Sequence, residues 1–180
     1  VIELGYAPND IAFLRNLADS GVKFNFLFCI YAGLETELLE KNVGAAGLNG
    51  VFTYVPSSEI AYQSEFGMTL DQYKAAWNKA YGDSKVEFGF NSVAGYTTGL
   101  VLEKALATSD SLDQLALRKA ISDISGKLKT LDGTFEVDAQ GAQIGEITPL
   151  GQLAAEGEHV KFVTVWPPAV ATGKPVYPAP

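Results

Sequence analysis

The sequence predicts an α/β fold built on a parallel sheet, and three observations carry that prediction. Strand-like and helix-like segments alternate through about the first 55 residues, as strand, helix, strand, helix, strand. The strand segments are short apolar runs without polar alternation, as in strands buried on both faces. The first helical segment between them begins at an Asn or Asp and ends at a Gly, so its limits are marked by residues that cap helices for known reasons.

Val1 to Gly5 is the first short apolar segment. Asn9-Asp10 then precedes Ile11, Leu14, Leu17 and Ala18, spaced by three and four with Arg15, Asn16 and Asp19 between them, which predicts a helix ending at Ser20-Gly21. Phe24 to Ile30 reads as a buried strand, Tyr31-Ala32-Gly33 as a loop, and the stretch around Glu35 to Glu40 as a helix. Gly50 to Val55 is the third strand, and right-handed crossovers would make the three parallel. Pro56 to Gly67 is polar and irregular. Leu70, Tyr73, Ala76, Trp77 and Ala80 then fall on one face of a helix ending at Gly82.

Phe90 to Ala107 predicts the longest helix, with Phe90, Val93, Ala94, Thr97, Val101 and Ala105 on its inner face and Gly95 and Gly99 admitting a close neighbour. Ser111-Leu112-Asp113 opens another, apolar at Leu115, Ala116, Ala120, Ile121 and Ile124 and closed by Gly126. Beyond it the period shortens. Gly133 to Val137 alternates like a strand, Asp138 to Gly141 is a turn, and Thr148 to Leu153 with Val160 to Trp166 forms a hairpin around the tip Ala155 to His159. The proline-rich segment from Pro167 to Pro180 reads as an extended strap across a surface.

Composition removes several function classes. With 21 acidic against 13 basic residues the chain carries a net charge of −8, so a phosphate backbone is repelled and no nucleic-acid partner is expected. Apolar runs such as Phe26 to Ala32 fall far short of the roughly 20 residues that cross a bilayer. One cysteine, Cys29, and one histidine, His159, exclude an intrachain disulfide, a cysteine-based zinc site and a multi-histidine metal site, and no cofactor is expected. Gly44 to Gly50 is glycine-rich but precedes a strand, so it lacks the strand-to-helix context that cradles a phosphate. Asp138 starts like a calcium loop without the acids that should follow. His159 falls at a hairpin tip beside Glu158, no Gly-x-Ser-x-Gly elbow occurs, and Cys29 lies within an apolar strand where a thiol is an inert small hydrophobe. Val1-Ile2-Glu3-Leu4-Gly5 has no features of a targeting signal, as expected of a mature or truncated chain.

What remains are aromatic residues where a core does not demand them. Tyr6 follows the first strand and Tyr31 the second, so both fall at the carboxyl edge where open α/β sheets bind ligands; the alternative is that each covers a neighbouring helix. At the start of the long helix, Phe90-Asn91-Ser92 poses the same choice, with Asn91 either a cap or one of several donors facing an anion.

The order of these pieces resembles the second half of type I periplasmic solute-binding proteins, the branched-chain amino acid receptor family of ABC importers. The resemblance rests on Gly5-Tyr6-Ala7-Pro8-Asn9-Asp10, Ala18-Asp19-Ser20-Gly21-Val22-Lys23 and Asn49-Gly50-Val51-Phe52 early in the chain. It continues through Gly95-Tyr96-Thr97-Thr98-Gly99, Leu131-Asp132-Gly133-Thr134-Phe135, Val165-Trp166-Pro167-Pro168 and the closing Val176-Tyr177-Pro178-Ala179-Pro180. It implies two Rossmann-like lobes that close on a small solute. Residues 1–54 would belong to the second lobe, 55–145 to the first, and 146–180 would return to the second with the tail. The first half of that fold lies outside the sequence, which implies a proteolytic or cloned fragment, a companion amino-terminal fragment, or an oligomer covering exposed strand edges.

The resemblance places ligand contacts at Tyr6 and at Phe90 or Asn91. The acid that neutralises a ligand ammonium in the amino acid receptors does not carry over, since its place reads Cys29-Ile30-Tyr31 with the nearest acid at Glu35. Burying an ammonium without its carboxylate costs several kcal/mol, so Ile30 and Tyr31 point to an aromatic or aliphatic carboxylate, with a branched-chain amino acid kept as the other small carboxylate the family binds. The implied role is a non-enzymatic receptor, periplasmic or extracellular and membrane-anchored, that presents a small-molecule ligand to an ABC permease. The alternatives are a ligand-sensing domain of a signalling or regulatory protein with the same fold and, third, an α/β enzyme using Tyr6, Tyr31 or Glu35.

Overall fold

A computed structural model describes residues 1–180 except Ala61, Lys85, Glu87 and Glu146. Along the chain run β1 (Ile2–Glu3), α1 (Ala7–Ser20), β2 (Phe28–Cys29), α2 (Tyr31–Leu34), α3 (Thr36–Val43), α4 (Ala45–Leu48) and β3 (Phe52–Tyr54). They are followed by α5 (Leu70–Tyr81), α6 (Phe90–Thr108), α7 (Gln114–Ile124), β4 (Leu128–Thr130), β5 (Gly133–Phe135), β6 (Leu150–Glu156) and β7 (His159–Trp166). The chain divides into two compact units, Val1–Pro56 with Thr148–Pro180, and Ser57–Ile147.

The first unit holds a five-stranded sheet in the order β1-β2-β3-β6-β7, in which β1, β2 and β3 are parallel and β6 and β7 antiparallel. The two crossovers step across the sheet in one direction, so a common hand puts their helices on one face. There α1 packs against α3 and α4. The core fills the space between them and the sheet, with Leu14, Leu39 and Leu48 from the helices and Leu27, Cys29, Val51 and Leu153 from the strands and their leading residues.

Three local features differ from the sequence reading. Helix α1 begins at Ala7 with Tyr6 in the cap position, so Asn9 and Asp10 lie within its first turn and do not cap it. Tyr31–Leu34 is a helical turn rather than a loop, because the Asp10 carboxylate accepts the first free N–H of that turn, from Tyr31 at 2.8 Å. Ala45–Leu48 is likewise a helical turn, entered through Gly44 at φ 80°.

Strand register places Ile2, Phe28, Phe52, Gln152 and Val163 in one row on the other face of the sheet. Phe26 stacks on Phe52 at 4.6 Å and Phe28 meets Tyr54 edge-on at 5.1 Å. The proline-rich strap runs over this face. The buried Gln152 amide accepts from Val176 N (2.7 Å) and donates to the carbonyls of Val176 and Gly50, both at 3.0 Å. Further along, Ala179 N donates to the Asn25 carbonyl at 2.9 Å. Gly50, at φ 85°, leaves room for Pro180, whose Cδ would lie 2.7 Å from any Cβ placed there.

In the second unit, α5 starts at a reciprocal Thr69–Gln72 capping box and α7 at Asp113, whose carboxylate accepts from Leu115 N and Ala116 N. Its small core joins Leu70, Val93 and Leu131 to Tyr73, Phe88 and Tyr96. Tyr73 and Tyr96 stack at 4.3 Å, and the Tyr96 hydroxyl accepts the Met68 N–H at 2.7 Å. Strand β4 has no counterpart in the sequence reading. It pairs with β5 through the Leu131-Asp132 turn, and its Lys129 points outward between the buried Leu128 and Thr130.

The buried face of α6 is also narrower than expected, with Val93, Leu100 and Ala105 inside and Phe90 37% exposed. No described atom outside the helix's own local backbone lies within 4 Å of a Cβ built on Gly95 or Gly99. Gly99→Ala is therefore expected to stabilise the protein by about 1 kcal/mol, the intrinsic helix preference of alanine, measured as a higher urea midpoint.

Among the described residues, no helix is long and apolar enough to cross a membrane, and no three His, Cys, Asp or Glu side chains are grouped to hold a metal ion.

Candidate functional site

The carboxyl ends of β1 and β2 form the rim that carries Tyr6, Ile30 and Tyr31. Gly5 makes the turn out of β1. Its N–H donates to Glu3 Oε2 at 2.9 Å, and a Cβ there would fall 2.5 Å from Glu3 Oε1. Tyr6 is the residue from which α1 starts. Its N–H donates to Asn9 Oδ1 at 3.1 Å while its carbonyl accepts from Asn9 N and Asp10 N. With the backbone so engaged, the ring stands outward and is 71% exposed.

Across from it, Tyr31 opens α2, and Thr53 Oγ1 donates to the Ile30 carbonyl at 3.0 Å. The Tyr6 and Tyr31 rings come together at 5.5 Å between centroids with 48° between planes, a tilted aromatic pair with one ring open to solvent. The half-buried Ile30 lies directly before this turn.

Phe90 and Asn91 belong to the other unit and share the first turn of α6. Asn91 is exposed and is not the cap. That position is Gly89, whose N–H is satisfied by Ser92 Oγ at 3.0 Å. Glu35 is half-buried in the link between α2 and α3, its backbone N–H bonded to the Tyr31 carbonyl.

Sequence reasoning missed Asp10 as part of this rim, taking it only as a residue that starts α1. It is fully buried. One oxygen accepts the Tyr31 N–H at 2.8 Å, while among the described residues Asp10 Oδ1 has no hydrogen-bond partner. Burial first, then the neighbouring Glu3 carboxyl, push the Asp10 pKa up to about 7 against the lowering pull of the Tyr31 and Ala32 N–H groups. The sequence held a signal for this. Asp10 interrupts the inward stripe Ala7, Asp10, Leu14, where an acid has no place unless it is paired.

Beneath the pair, burial pushes the Cys29 thiol up to about 12, with Asp10 and Glu3 adding to the shift, so it is no nucleophile at neutral pH. His159 stands exposed at the end of the β6–β7 hairpin with Nδ1 3.3 Å from Glu40 Oε2. A separate apolar cavity of about 290 Å³ opens at the opposite ends of β2 and β3, lined by Leu14, Leu17, Leu27, Val51 and Pro180 among others.

No family model matches the chain, and no curated protein matches it. Solved structures do. A possible leucine/isoleucine/valine-binding protein from Rhodopirellula baltica SH 1 is 17% identical with a TM-score of 0.67, over 91% of this chain and 42% of its own. A periplasmic binding protein type 1 from Bordetella pertussis Tohama I is 15% identical with a TM-score of 0.60, over 91% and 45%. The solute-binding protein of an ABC transporter from R. palustris, solved with benzoate, is 15% identical with a TM-score of 0.58, over 94% and 45%. The chain thus spans less than half the length of each of these proteins. At such identities the likeness is one of fold, and the chain has the type I periplasmic-binding-protein fold over that span.

Proposed function

We propose that the chain is the later part of a non-enzymatic solute receptor that binds a small carboxylate outside the cytoplasm and presents it to an ABC permease. The observation that carries this reading is the tilted Tyr6–Tyr31 pair at the carboxyl edge of the parallel strands, where this sheet class takes its ligands. The resemblance adds Phe90 and Asn91 as further contacts.

The character of the rim favours an aromatic or aliphatic acid. Its aromatic and aliphatic groups come from Tyr6, Tyr31 and Ile30, while Asp10 is fully buried and bonded to the Tyr31 N–H, and Glu3 is bonded to the Gly5 N–H. The benzoate held by the R. palustris protein fits that class, whereas the name of the R. baltica protein speaks for branched-chain amino acids. The reading includes a partner for the open β1 edge, where Ile2 and Leu4 are 65% and 70% exposed, namely the remaining part of the receptor fold.

The test is calorimetry on the full-length protein with benzoate, a branched aliphatic acid and leucine. Benzoate or the aliphatic acid is expected to bind and to be recovered unchanged, with Tyr6→Ala and Tyr31→Ala each weakening it by about tenfold, the worth of one aromatic contact. Chemical turnover, or affinity unaffected by both substitutions, would overturn the reading; tighter binding of leucine would overturn the carboxylate class alone.

A further inference from the structure

We infer that Tyr54 and Trp166 are the walls of a slot for one flat ring on the ligand rim, with Leu150 as its floor, and that they restrict the solute to aromatic acids. The inference rests on the receptor reading and narrows the ligand class given there.

Three strands of the first unit bring these residues together. Tyr54 ends β3 and pairs with Leu150 at the start of β6, and Leu150 pairs in turn with Trp166 at the end of β7. Directly paired residues of antiparallel strands put their side chains on the same face, so the three form one row. The row lies at the same edge of the sheet as Tyr6 and Tyr31. Phe28 pairs with Phe52 between the parallel strands, which sets Tyr54, two residues on, level with Ile30.

This row departs from the rest of its face. Phe28 and Phe52 are 7% and 4% exposed, whereas Tyr54 is 37% and Trp166 45% exposed, with Leu150 half-buried between them. Phe28 meets the Tyr54 ring edge-on at 5.1 Å, so that ring is supported from within the sheet while part of it stays open. The β6–β7 ladder also shifts register between Leu150 and Gly151, leaving Val165 out of the pairing. A bulge of this kind re-aims the side chain beside it, here Trp166.

The spacing sets what fits. Neighbouring strands lie about 4.8 Å apart, which puts the Tyr54 and Trp166 backbones roughly 10 Å from each other with one strand between. Aromatic pairs stack or tilt at about 4.5–7 Å between centroids, so the span holds one ring with a contact on each side and no second ring. A saturated ring of the same size is thicker and has no π face, so it forfeits both contacts.

The experiment is calorimetry on the full-length protein with benzoate and cyclohexanecarboxylate, together with NMR of the Trp166 indole, assigned as the signal lost in Trp166→Phe. Benzoate is expected to bind about 20-fold more tightly than cyclohexanecarboxylate, two aromatic contacts at about fivefold each, and to move the Trp166 signal. Tyr54→Leu and Trp166→Leu keep an apolar side chain, and each should lower that ratio about fivefold by weakening benzoate alone. The ratio and the indole signal are read on the unaltered protein, so they hold even where a variant fails to fold. Equal binding of the two acids overturns the inference and leaves the receptor reading intact, as does benzoate binding with an unmoved Trp166 signal. A Trp166 ring shielded from acrylamide in the ligand-free protein shows the row covered by the rest of the fold and overturns the inference as well. Binding of neither acid also overturns it, and the receptor reading falls with it only if leucine and the branched aliphatic acid fail to bind too.

Discussion

Gly33→Ala is expected to destabilise the protein by about 3 kcal/mol, the upper end of what overpacking costs. Gly33 is buried in α2, where the helix lies on β3, and a Cβ there would collide with the Tyr54 carbonyl and come within 2.7 Å of Thr53 Oγ1. The carbonyl is backbone of a central strand and cannot swing aside, so the turn itself must lift. Alanine's better helix propensity offsets only about 1 kcal/mol of that. Lifting α2 also stretches the Thr53–Ile30 and Asp10–Tyr31 hydrogen bonds, so the Tyr31 ring moves with it. A urea titration checks the first effect and near-ultraviolet circular dichroism the second; an unchanged urea midpoint would show that α2 can move freely over β3.

The second large effect is a fall in stability as the solution is made less acidic. Asp10 binds its proton more tightly folded than unfolded, its pKa rising from 3.8 to about 7. Between those values the folded state carries more protons than the unfolded one, so its contribution is complete below about pH 4 and is lost as pH rises through about 7. Asp10→Asn removes this component, so the difference between parent and variant in denaturation midpoint should change steadily from pH 4 to pH 7 and level off above. A constant difference across that range would show that Asp10 is ionised throughout.

The sequence reading met its limits where structure depends on partners distant along the chain. Alternation in the first 55 residues, the helices α5, α6 and α7, the β6–β7 hairpin and the strap were all legible, because each is announced by local periodicity, caps or proline. The helical turn at Tyr31–Leu34 was not, since what favours it is an aspartate 21 residues earlier. Strand β4 was hidden because three residues are too few to show a period, and only pairing with β5 defines it. At the rim, the exposed aromatic positions could be named from strand ends alone, while Asp10 was read as a helix start because Asn9-Asp10 precedes the apolar spacing that begins at Ile11, and its bond to Tyr31 spans 21 residues.

The pairing of β3 with β6 joins residues about a hundred positions apart, with the whole of Ser57–Ile147 strung between them. During synthesis the first three strands and their helices emerge long before the hairpin that flanks β3. Closing so long a loop as a free coil carries a large entropic cost, whereas an intervening segment that has already folded brings its two ends to a fixed separation. An inserted unit that folds before the hairpin would shorten that closure. Changes that slow its folding, even far from the sheet, should delay the joining of β6 to β3 and lengthen the time that the β3 edge stands unpaired.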